Sequence, residues 1–136
     1  MVDALRRAHR IAAPSGVVVD LHPSSSPAVV EVGAFVIGDV DSPQGPRRHA
    51  AADAAIAAAV DAGWFAVTRV VEFSFYTHAD TIEELRDFVA EHWHDARIDD
   101  ATVIRTRERM RGAGARPRTR ERVILTILRP LGQPAL

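Results

Sequence analysis

The sequence contains no cysteine. Disulfides, thiolate zinc sites, iron–sulfur clusters and cysteine nucleophiles are therefore excluded. Lysine is also absent, and all 17 basic residues are arginine, which rules out a Schiff-base lysine and the lysine of a phosphate-binding loop. No apolar run approaches the ~18 residues of a membrane-spanning helix, and the N-terminus lacks the pattern of a secretory signal. The expectation is a cytoplasmic chain with no membrane partner.

What is present points to an ordinary folded chain. At 136 residues, with 47% hydrophobic and 26% charged positions, it can bury a core and reads as one domain spanning 1–136. The formal net charge is −1, yet eight arginines fall between Arg105 and Arg122 with only Glu108 and Glu121 to offset them. That asymmetry is the main electrostatic signal.

Leu5, Ala8, Ile11 and Ala12 follow helical spacing, and Pro14, Ser15 and Gly16 stop the helix. `VVVDL`, Val17 to Leu21, is then a continuous apolar run of the kind found in parallel strands covered on both faces. `AVVEVGAFVIGDV` reads as a strand or hairpin in which Gly33 marks a bulge. A helix of high propensity over `RRHAAADAAIAAAVDAG` ends at Gly63. The long strand `WFAVTRVVEFSFYTH` carries Phe65, Val67, Val71, Phe73 and Phe75 on one face. `DTIEELRDFVAEHW` begins with Asp80 or Thr81 as cap and Glu84 completing a capping box, and `IDDATVIRTRERM` with Asp99 as cap inside a staple of Ile98 and Val103. After the loop `RGAGARPRT`, the strand `RVILTILR` is apolar on both faces and reads as central, with Leu125 and Ile127 buried.

The run Arg10, Ile11, Pro14, Ser15, Gly16 and `VVVDL` resembles the turn into the fifth strand of class I S-adenosylmethionine-dependent methyltransferases. The order that follows is similar to the C-terminal half of that family. The resemblance implies an α/β fold with a partial Rossmann-like sheet, its strands resembling the fifth, sixth and seventh, with helices packed on it and a small helical insertion. It also implies that the last strand runs antiparallel between the other two.

The cofactor site of that family lies in its first half, in a glycine turn after a strand and an acidic residue after the next. Neither pattern is present, and `GAG` at Gly112 to Gly114 follows a helix instead of opening one. The expectation is a half domain with no cofactor-binding residues of its own, S-adenosylmethionine entering only with a partner. The chain then begins where the other half of such a domain would end.

No catalytic residue carries over. His22, just past a strand end where open α/β sheets place ligands, and Tyr76 and His78, leaving the long strand, are candidates to line a ligand cleft. No metal is expected: His92 and His94 stand two apart and cannot share a helical face. The arginine cluster lacks interleaved aromatics for base stacking, which argues against nucleic acid. With no fourth strand beside it, Val17 to Leu21 would present an open edge. A homodimer, or a partner chain pairing there, is expected, with Val29 to Ile37 at the interface. The competing readings are an active methyltransferase subunit and an unrelated α+β protein that binds a small ligand.

Overall fold

The computed structural model describes residues 1–112 and 114–132. Four helices and five strands follow in the order α1 (Val2–Ile11), β1 (Val18–Pro23), β2 (Val29–Val32), β3 (Phe35–Asp39), α2 (Gly45–Asp61), β4 (Phe65–His78), α3 (Ile82–His92), α4 (Asp100–Met110) and β5 (Pro117–Pro130). The strands form one sheet in the order β1-β5-β2-β3, and β4 also pairs with β5. β1 and β2 both run antiparallel to β5, taking Val123 to Leu128 and Pro117 to Arg120 respectively. The Leu131 amide donates to the Trp64 carbonyl and the Ala79 amide to that of Pro117, so β4 is antiparallel to β5 as well.

β5 is thus the central strand, as its two apolar faces implied. It begins at Pro117, ahead of the expected `RVILTILR`, because Thr119 and Arg120 pair with β2 despite their polarity. Parallel pairing for `VVVDL` is not observed. β1 is antiparallel to β5, with Val19 opposite Ile127 and Leu21 opposite Leu125.

The described residues group into two compact units. The first comprises residues 1–23, 47–73 and the chain from 123. Its core joins Leu5 of α1 and Ala55, Ile56 and Ala59 of α2 to Phe65 and Leu128 of the sheet. The alanines let α2 approach closely, and Ala59 and Leu128 are fully buried. Ile11, on the expected apolar face of α1, is instead 79% exposed because the helix ends there.

The second unit comprises residues 24–46 and 74–122. Its core unites Val30 of β2 with Ile82, Leu85 and Val89 of α3 and Val103 of α4. Thr81 caps α3 by accepting from the Glu84 amide, while the Glu84 carboxylate accepts from the Asp80 amide one residue before the cap. Asp99 caps α4 through the Thr102 amide, and Ile98 and Val103 share the core as a staple does. Gly33, at φ +59°, opens the tight turn between Val32 and Phe35, and the register shift lies earlier, between Val30 and Glu31. Gly33 is therefore a turn residue, because a two-residue hairpin needs positive φ at its first position.

Most of the apolar face of β4 is exposed. Phe65 is buried, but Val67, Phe73 and Phe75 are 43%, 39% and 56% exposed. Alternation puts them on the side of Phe65, but they lie outside the core that Phe65 joins.

Candidate functional site

The most organised polar group in the first unit centres on His22 at the end of β1. Two residues apart on a strand, Asp20 and His22 share a face, and α2 brings Asp53 to the same point. His22 Nδ1 lies 2.5 Å from Asp20 Oδ2, and Nε2 lies 2.8 Å from Asp53 Oδ1. The His22 and Asp20 side chains are largely buried, whereas that of Asp53 is half exposed.

Burial alone would lower the His22 pKa, but the hydrogen bonds and charges of Asp20 and Asp53 outweigh it and hold the ring above its ordinary 6.5. A carboxylate at each nitrogen favours the doubly protonated ring, in which both nitrogens donate. A ring in that state has no lone pair to accept a proton or ligate a metal. Its chemistry is to hold two carboxylates in place and fasten β1 to α2. Moreover, the strand-end rule that made His22 a ligand candidate applies to parallel sheets, and β1 pairs with an antiparallel strand.

Tyr76 and His78 lie in the second unit, on β4, with ring centroids 6.2 Å apart. The Arg118 guanidinium sits 4.3 Å from the centroid of Tyr76. Beside it, Glu31 of β2 is only 5% exposed and accepts from Arg118 Nε at 3.0 Å and Arg120 Nε at 2.5 Å. Burial pushes the Glu31 pKa up, and the two arginines more than reverse this, leaving it below the usual carboxylate range.

The arginine cluster is spread over α4 and β5 among particular acceptors. Arg105 donates to Thr102 and to the Ile37 carbonyl, Arg107 pairs with Glu83, and Arg116 with Asp80. Apart from Arg105 to Thr102, these contacts reach other elements, and α4 lies against α3 and β3. A shallow cavity of about 340 Å³ is lined by Val32 to Phe35 and by Arg109, Arg111, Gly112 and Ala115.

Among the described residues no group of three acidic or histidine side chains is arranged to hold a metal ion. Gly112, at φ +75°, ends α4 and leads toward β5, and Ala113 of that loop lies outside the described residues. Asp20 of β1 is paired with His22.

Sequence reasoning found His22 but missed its partners. The Asp20 pairing was legible from strand alternation, whereas Asp53 is 31 residues away and carries no local signal. Compared with known proteins, the chain matches no family model, no curated protein and no solved structure.

Proposed function

We propose that this chain is a methyltransferase-like α/β module that performs no chemistry of its own and works through a partner. The observation that supports it best is topological. β5 lies between β1 and β4, antiparallel to both, and helices α1 and α2 pack with Val18 of β1, Phe65 of β4 and Leu128 of β5 on one core. This is the order that the resemblance implies for the fifth, seventh and sixth strands.

The side chains favour a non-catalytic reading. His22 has both ring nitrogens engaged, and Glu31 is neutralised by two arginines. Neither offers a free acid, base or nucleophile. A role through association fits the sheet better, since β1 hydrogen-bonds to β5 alone among the described strands and its outer edge can accept another. A partner strand there would extend the sheet on the side where the family places its remaining strands.

Titration calorimetry of the purified chain with S-adenosylmethionine tests this reading. No saturable heat is expected. Saturable binding at about micromolar concentration, which corresponds to roughly 8 kcal/mol, would overturn it in favour of an active enzyme.

A further inference from the structure

We infer that a second copy of this chain covers the face of the first unit's sheet opposite α1 and α2. Leu128, Val18 and Phe65 point toward those helices. Alternation then sends Val17, Val19, Leu21 and Val70 to the other side, where they are 62%, 55%, 58% and 61% exposed. Leu125 and Ile127, paired with Leu21 and Val19, lie half-buried between them. A strand pair normally buries such a row or makes it polar. Here it is neither.

The area and the charge pattern identify the occupant. Four Val and Leu side chains exposed by more than half, with part of Leu125 and Ile127, amount to roughly 400–500 Å² of apolar surface, a size that marks an interaction site. Two such faces together approach the ~1,000 Å² of a specific interface. The centre of the face carries no charge, while Arg129 and Glu72 continue the same alternation toward opposite ends. A two-fold axis crossing the strands lays the uncharged centre of one copy on that of the other, so the face is complementary to itself. Sheet-on-sheet packing about a two-fold is also the commonest symmetric solution for such a surface.

This interface differs from the β1 edge, and its test does not involve the cofactor. Light scattering over a range of concentrations should give a mass of twice 14.8 kDa. Val19→Arg on β1 and Val70→Arg on β4 should each return it to 14.8 kDa with an unchanged circular dichroism spectrum. Ile104→Arg, at a 52% exposed position of α4, should leave the dimer intact. A monomer at every concentration, a dimer that survives both face variants, or one that Ile104→Arg dissociates would overturn the assignment.

Discussion

His22 is the residue where charge and folding are coupled most directly. Its pKa is raised in the folded chain by Asp20 and Asp53 despite burial. The folded state therefore holds the proton more tightly than the unfolded state. The stabilisation is complete below about pH 6.5 and is lost as pH rises through the folded pKa. Urea midpoints measured from about pH 5.5 to pH 9 should fall across that window, and His22→Gln should flatten the fall while costing about 1–3 kcal/mol at the acidic end. A wild-type midpoint that rises with pH over the same range would contradict the clamp. Glu31 acts at the other extreme, because its lowered pKa gives stability that is present at neutral pH and disappears only in acid.

At the scale of the element, β5 separates two kinds of apolar position that look alike in sequence. Leu128 is fully buried against α1 and α2, while Leu125 and Ile127 are half-buried on the bare face. The expectation that Leu125 and Ile127 are buried core residues is thereby corrected, since apolarity on both faces of the strand does not mean helices on both. Leu128→Ala should cost about 2–5 kcal/mol, the range for a buried leucine that leaves a cavity. Leu125→Ala, measured by denaturant unfolding at a concentration that keeps the chain monomeric, should cost clearly less, roughly 1–2 kcal/mol, because part of the side chain is already in water. Equal losses would mean that the bare face is covered within the chain. Val18 carries a related lesson: it packs toward the helices, so an arginine there would damage the fold, and Val19 is the position that reports on association.

At the scale of the whole molecule, association and stability are linked. If the dimer is the folded form with its bare faces joined, mass action makes the melting temperature rise with protein concentration. Calorimetric scans over about a hundredfold range of concentration should show the midpoint moving upward in the wild type and standing still in Val19→Arg. A wild-type midpoint independent of concentration would separate folding from assembly.

The sequence by itself determined the local events, because each depends on residues within a turn or two of one another. Asp99 and Thr81 had the short polar side chains that cap helices, the alanines of α2 permitted close packing, and strand alternation placed Asp20 beside His22. The centrality of β5 was legible too, since a strand apolar on both sides belongs inside a sheet. Whether such a strand is covered depends on where the helices land. Only the tertiary structure decided that Val17, Val19 and Leu21 face away from α1 and α2, that Asp53 reaches His22 across 31 residues, and that Glu31 collects Arg118 and Arg120. The physical reason is common to all three. Period and propensity fix how a side chain points relative to its own backbone, whereas burial and ionic partners belong to whatever distant element the fold brings opposite it.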